Sequence, residues 1–249
     1  TNCNSQRSFI LFQTKGRLSN HSVNQTVKHV AYKRIGALTI GQSPRPDLVS
    51  PLKQLMPDCE IIQAGALDGF SSAELPDISE AAYPLATQMQ NGEVVKVDES
   101  FISSKLQHAQ NRLDTKGVAA TLLLCAGTFP NLHGTCPIYK PFNIACSVLK
   151  ALNMNSIGLI TPIPGQEVPI RQRWESLGWK TTVWTADLGN QDRAFHQELN
   201  TRVNAYELDC IVLDYVGHPL AQVVQLQRSI KQPVIDLGYL SMVILANTV

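Results

Sequence analysis

No apolar run in this chain approaches the roughly 18 residues needed to cross a bilayer as a helix, so no membrane-spanning helix is expected. Nor does a charged start lead into an apolar stretch and a small-residue cleavage site, the pattern of an export signal. Charge of one sign is missing as well. With 21 lysines and arginines against 20 aspartates and glutamates the net charge is +1, which sets up no global field toward nucleic acid or an anionic membrane surface. The expected partner is a small molecule, with homo-oligomerisation left open. Six cysteines are present, yet no two stand in Cys-x-x-Cys spacing and no histidine cluster matches them. That argues against structural zinc and against a disulfide framework, and it fits a reducing, cytoplasmic compartment. No metal is expected.

Acidic residues are absent from the first 34 positions, which carry Arg7, Lys15, Arg17, Lys28, Lys33 and Arg34 among several serines. Residues 1–34 therefore stand apart as an N-terminal extension, disordered or targeting; a basic, acid-free composition is that of an organelle transit peptide, or of a non-native segment.

What the chain does have is apolar material, 44% of its residues, enough for one large domain or two smaller lobes. From Ile35 onward short β-branched or aliphatic runs alternate with helix-length amphipathic stretches, which is the pattern of βαβ units and a parallel sheet covered on both faces. The fold class is α/β. Strands are expected at Ile35 to Ile40, Cys59 to Gln63, Val94 to Val97, Val118 to Leu124, Ser156 to Thr161, Thr181 to Thr185, Asp209 to Leu213 and Pro233 to Asp236. Helices are expected near 46–56, 99–115, 142–152, 166–177, 191–205, 218–230 and 240–248.

The runs contain an internal echo. Ile35-Gly36-Ala37-Leu38-Thr39 matches Ile157-Gly158-Leu159-Ile160-Thr161, and Gly41-Gln42 follows the first as Gly165-Gln166 follows the second. Further on, Leu123-Leu124-Cys125-Ala126-Gly127-Thr128 lies beside Leu213-Asp214-Tyr215-Val216-Gly217-His218. Each match is short, but their order is that of a duplication: the Ile-Gly strand first, the special residue later. Two pseudosymmetric lobes are expected, each a mostly parallel sheet flanked by helices. The first spans 35–141 with a C-terminal return segment 233–249, and the second spans 142–232. Cys125 and Tyr215 then occupy equivalent positions.

In open parallel sheets the carboxyl ends of the strands face the ligand crevice, because the following helices turn their N-termini and free N–H groups there. Cys125 stands at such an end. The N–H groups of Ala126, Gly127 and Thr128 form an expected anion pocket, with the Thr128 hydroxyl as a further donor. A thiol among such donors is expected below its ordinary value of roughly 8.5, as a thiolate serving as base or nucleophile. The competing reading is a buried cysteine packing as a small hydrophobe, which is also the expectation for Cys59, Cys146 and Cys210. In the loop Thr39-Ile40-Gly41-Gln42-Ser43-Pro44-Arg45, Ser43 suits a helix cap, and Arg45 either clamps a carboxylate or is solvated or paired. Gln166 is its counterpart in the other lobe. Asp214 either orients a hydroxyl or ligand amine or caps a turn. His218 caps or titrates, and neither it nor His133 has metal-ligand spacing.

Thr39-Ile40-Gly41-Gln42-Ser43-Pro44-Arg45, Ala64-Gly65-Ala66-Leu67-Asp68-Gly69 and Cys125-Ala126-Gly127-Thr128-Phe129-Pro130 together resemble the AroM family, which is related to the aspartate/glutamate racemase superfamily. The resemblance covers residues 35 to 249. It implies two α/β lobes with a crevice between them. Racemases of that superfamily use two cysteines on opposite sides of a substrate α-carbon, one removing the proton and the other returning it, without cofactor. Cys125 matches the first position, but Tyr215 stands where the second cysteine would be, so symmetric two-thiol chemistry is not implied. One-cysteine members catalyse decarboxylation or cis-trans isomerisation. The expectation is a cofactor-independent isomerase, racemase or lyase acting on a small carboxylate. Cys125 and Tyr215 would be catalytic; Thr39, Gln42, Ser43, Arg45, Ala126, Gly127, Thr128, Gln166, Asp214, Gly217 and His218 would bind substrate. The alternative is a non-catalytic small-acid-binding or regulatory protein on the same fold.

Overall fold

The echo seen in the sequence is an echo in the backbone. A computed structural model describes residues 33–77, 84–190 and 192–249, and it holds two four-stranded parallel sheets of the same strand order. In the first, β1 (Lys33–Thr39) lies between β2 (Cys59–Gly65) and β5 (Ala120–Leu123), with β6 (Ile138–Tyr139) outside β5. In the second, β7 (Ser156–Thr161) lies between β8 (Lys180–Thr185) and β9 (Cys210–Leu213), with β10 (Val234–Asp236) outside β9. The basic extension expected over residues 1–34 lies outside the described residues except for Lys33 and Arg34, which open β1.

Alternation along the central strands sorts their side chains between two faces, both buried, as a parallel sheet flanked by helices requires. Ile35 and Ala37 of β1, Leu122 of β5, Ile157 and Leu159 of β7 and Val212 of β9 join one core shared by both sheets. Leu38 and Leu123 face a separate core with Ile102 and Leu106, while Ile160 and Leu213 face a third with Val223 and Leu226. Trp174, fully buried in the shared core, packs edge-on against Phe142 at 4.8 Å and Trp179 at 5.3 Å. Removing an indole of about 150–250 Å² from water is worth on the order of 4–6 kcal/mol at roughly 25 cal/mol per Å².

Seven helices among the described residues cover these sheets: α1 (Pro46–Leu55), α2 (Glu99–Thr115), α3 (Pro141–Ala151), α4 (Glu167–Glu175), α5 (Arg193–Asn204), α6 (Leu220–Ser229) and α7 (Leu237–Thr248). Their starts follow from local chemistry. Asp98, Asp192 and Asp236 accept hydrogen bonds from the first-turn amides of α2, α5 and α7, and proline opens α1 and α3, where no amide hydrogen is needed. Helix α6 begins at Leu220 rather than near 218, because Gly217 at φ 116° and Pro219 hold the preceding backbone out of the helix.

Two features depart from the expected layout. Val94 to Val97 belongs to neither parallel sheet: β4 (Val94–Asp98) pairs antiparallel with β3 (Pro84–Gln88), closed by a turn in which Gly92 takes φ 87° and Met89 N–H donates to Glu93 O at 2.8 Å. Segment 233–249 does not return to the first lobe as a unit. Strand β10 is hydrogen-bonded to β9 in the second sheet, and only α7 crosses over, packing on α1, α3 and β5. Helix α3 crosses in the opposite sense, placing Phe142 on Trp174 of α4.

Candidate active site

Register determines what stands at the strand ends. Leu38 pairs with Leu123 in the first sheet as Ile160 pairs with Leu213 in the second. Each ladder then gains one more bond, Leu124 N–H to Leu38 O and Asp214 N–H to Ile160 O, both 2.8 Å. The residues that follow are Cys125 and Tyr215. Other ends match too: Ala66 N–H donates to Thr39 O and Ala186 N–H to Thr161 O, both at 2.9 Å.

Both residues line one cavity of about 410 Å³. Thr39 and Gly127 line it from the first half, Gln166 and Asp214 from the second, and Leu85 and Val94 of the β3–β4 hairpin form an apolar wall. That volume lies within the range of small-molecule sites, roughly 300–1,000 Å³.

Cys125 is 9% exposed, and its sulfur accepts the Gly127 N–H at 3.3 Å. Burial pushes the thiol up to about 11, against the pull of the Gly127 amide and the Arg173 guanidinium. The expected lowered thiol is therefore corrected. The donors are there, but desolvation in the apolar core that Cys125 shares with Leu38, Ile102 and the hairpin's Leu85 and Val97 outweighs them, and Cys125 is a neutral thiol at pH 7. Tyr215 is partly buried, with its ring edge-on to His218 at 5.5 Å. Burial raises its phenol above the ordinary value; Arg45 opposes this and the Cys125 sulfur adds to it. Two un-ionised acids thus share the cavity.

Several expected ligand contacts are already occupied by protein. Arg45 lines the cavity, but its guanidinium forks onto Asp47, Nε to Oδ1 at 2.9 Å and Nη2 to Oδ2 at 2.6 Å, and holds that carboxyl below its usual range. Gln42, Ser43, Thr128 and His218 are not in the lining. Gln42 donates to the carbonyls of Leu67 and Phe70 and accepts from Gln90 N–H, which ties the hairpin to the first loop. Ser43 does not cap α1; its amide and hydroxyl go to Asp68. The Thr128 hydroxyl donates to Glu99 at 3.4 Å. His218 has its Nε2 buried without a hydrogen-bond partner, and burial lowers the imidazole to about 4. Thr39, Ala126, Gln166, Asp214 and Gly217 remain in the lining. Gly217 is required by its φ of 116°, and a Cβ there would also push the end of the Leu48 side chain, 2.6 Å away. Among the described residues no group of three His, Cys, Asp or Glu side chains is placed to hold a metal ion, and no helix is long and apolar enough to cross a membrane.

One residue absent from the sequence expectations connects the two strand ends. Arg173 of α4 donates to Ala126 O at 2.9 Å and to Asp214 Oδ2 at 2.5 Å, with its guanidinium 4.4 Å from the centre of the Phe142 ring. Trp174 Nε1 donates to the same Asp214 oxygen at 2.8 Å. Asp214 therefore acts as a buried anchor. An arginine on an amphipathic helix reads as a solvated cation, and nothing in the sequence signals that it reaches the other lobe.

Two parallel sheets of one topology, with Cys125 and Tyr215 at matching strand ends, make this an α/β fold of two similar halves. The chain belongs to the AroM family, whose model, described as AroM protein, matches residues 35–249. The fold is similar to that of unliganded arylmalonate decarboxylase, with a TM-score of 0.58 and 15% identity over 87% of this chain and 94% of the other. It is likewise similar to glutamate racemase isoform RacE1 from Bacillus anthracis, at TM-score 0.55 and 12% identity over 87% and 81% of the two chains. The maleate isomerase Iso from Pseudomonas putida S16 gives TM-score 0.55 and 11% identity over 87% and 92%. At these identities the likeness is one of fold. No curated protein matches the chain.

Proposed function

We propose that this protein is a cofactor-independent isomerase or lyase that moves a proton at a carbon next to the carboxylate of a small acid, bound between the two sheets. The observation that carries this reading is that Cys125 and Tyr215 stand at equivalent strand ends and line one cavity. Because both groups are un-ionised, the chemistry begins with proton donation. A carbanion formed beside a carboxylate by loss of carbon dioxide takes the thiol proton and leaves a thiolate. That thiolate is then reprotonated by Tyr215 or by water entering the cavity. Racemisation requires one of the two acids to start as a base, which the binding of a substrate ammonium beside it would favour.

The substrates named for the structural neighbours define the test. Aryl malonates, glutamate, aspartate and maleate, with hydroxy acids added to the panel, are incubated with the protein in deuterated buffer, and proton NMR follows deuterium uptake and product. Turnover of one member, lost in Cys125→Ala while ligand-induced thermal stabilisation remains, is the expected result. No turnover or exchange across the panel, with Cys125→Ala binding acids as the wild type does, would sink the enzymatic reading in favour of a small-acid-binding protein.

A further inference from the structure

Arg173 touches neither the Cys125 sulfur nor the tyrosine ring by hydrogen bond, yet it holds the peptide unit that governs the sulfur. The Ala126 carbonyl and the Gly127 N–H belong to one planar trans peptide and point in opposite directions. Arg173 Nη1 donates to that carbonyl at 2.9 Å, and on the far side the Gly127 N–H donates to Cys125 Sγ at 3.3 Å. A cation on the carbonyl orients the plane and polarises the N–H, strengthening its bond to sulfur. The guanidinium is in turn fixed by Asp214 at 2.5 Å, and Asp214 by the Trp174 indole at 2.8 Å, with the Asp214 side chain fully buried. The anchor is the residue immediately before Tyr215, so the same arginine sets both strand-end loops.

We infer that Arg173 is a positioning residue that holds the Ala126–Gly127 peptide against the Cys125 thiol and ties that loop, through Asp214, to the loop carrying Tyr215. This rests on the proposed role of Cys125 and adds the device that makes its thiolate accessible when a proton has been given up. Arg173 favours the thiolate twice, through its own charge and through the amide it aims. Lysine cannot substitute: an ammonium is a point charge and cannot span Ala126 O and Asp214 as the planar fork does.

The test reads Cys125 directly. The full chain is treated with iodoacetamide between pH 7.5 and 10, and mass spectrometry of the digested protein gives the alkylation rate of Cys125 separately from that of Cys210, which is fully buried. Arg173→Gln is expected to slow Cys125 alkylation roughly tenfold at a given pH, the equivalent of one unit in the thiol. Arg173→Lys, which leaves Asp214 a counter-charge and keeps the inference testable should Arg173→Gln fail to fold, slows it roughly threefold because the fork is lost. A rate equal to the wild type's in either folded variant overturns the inference. So does a faster rate at Cys125 with Cys210 unchanged; a rise at both cysteines marks that variant as loosened, and the other variant then decides. Alkylation requires no turnover, so this result and that of the deuterium-exchange panel can fail independently.

Discussion

Asp214→Ala removes the anchor between the two halves, and its cost can be worked from the structure. The Asp214 side chain is fully buried, Arg173 is 12% exposed, and one carboxylate oxygen receives both the guanidinium and the Trp174 indole. Deleting one partner of a buried ion pair leaves the other charge uncompensated, at about 3–5 kcal/mol, a range that includes part of the penalty for the orphaned indole N–H. By contrast, the exposed Arg34–Glu60 pair, with side chains 52% and 57% accessible, is worth about 0–1 kcal/mol. Urea unfolding followed by tryptophan fluorescence therefore places Asp214→Ala well below the wild type and Glu60→Ala close to it. In a domain of this size about 2–4 °C per kcal/mol converts the loss into a fall in Tm of roughly 6–20 °C. A loss for Asp214→Ala no greater than that for Glu60→Ala would refute the anchor.

Two buried titrating groups give opposite pH slopes. His218, lowered to about 4, favours folding while neutral, so its contribution is present above about pH 6.5 and lost as pH falls toward 4. Asp236, raised to about 6, contributes fully below about pH 4 and loses that contribution as pH rises to 6. Each is worth about 3 kcal/mol across its window. Because the two windows overlap, their contributions nearly cancel in the wild type: urea midpoints at pH 4, 5, 6 and 7 should fall with rising pH in His218→Gln and rise with it in Asp236→Asn, relative to the wild type; slopes parallel to the wild type's would refute both. Gly127→Ala places a Cβ 2.4 Å from the Phe129 ring, which is 2% exposed on a backbone at φ 38°. Overpacking of that kind costs about 1–3 kcal/mol, and an unchanged melting temperature would show that the ring yields freely.

The parallel strands and helices were legible because their signals are local. Short continuous apolar runs mark β1, β5, β7 and β9, while capping aspartates and opening prolines mark most helix starts. The β3–β4 hairpin was missed because Pro84-Leu85-Ala86-Thr87-Gln88 is a weak strand sequence, although Asn91-Gly92 was the available turn signal. Strand β6 is two residues long and escaped for lack of any period. The roles assigned to Gln42 and Ser43 failed for another reason: polar residues in a shaped loop serve the loop or a ligand equally well until their partners, Leu67, Phe70, Gln90 and Asp68, are placed.

By itself the sequence determined the class, the duplication and the pairing of Cys125 with Tyr215, because a parallel ladder carries register unchanged from an Ile-Gly strand to its neighbour. Only the tertiary structure decided the state of that pair. The donors around Cys125 lie within three residues of it and are readable, whereas the burial that keeps its thiol neutral comes from the hairpin and from α2, distant in sequence. Arg173 likewise acts across 47 residues to Ala126 and 41 to Asp214. Desolvation and such long-range contacts depend on three-dimensional packing, and no local pattern encodes them.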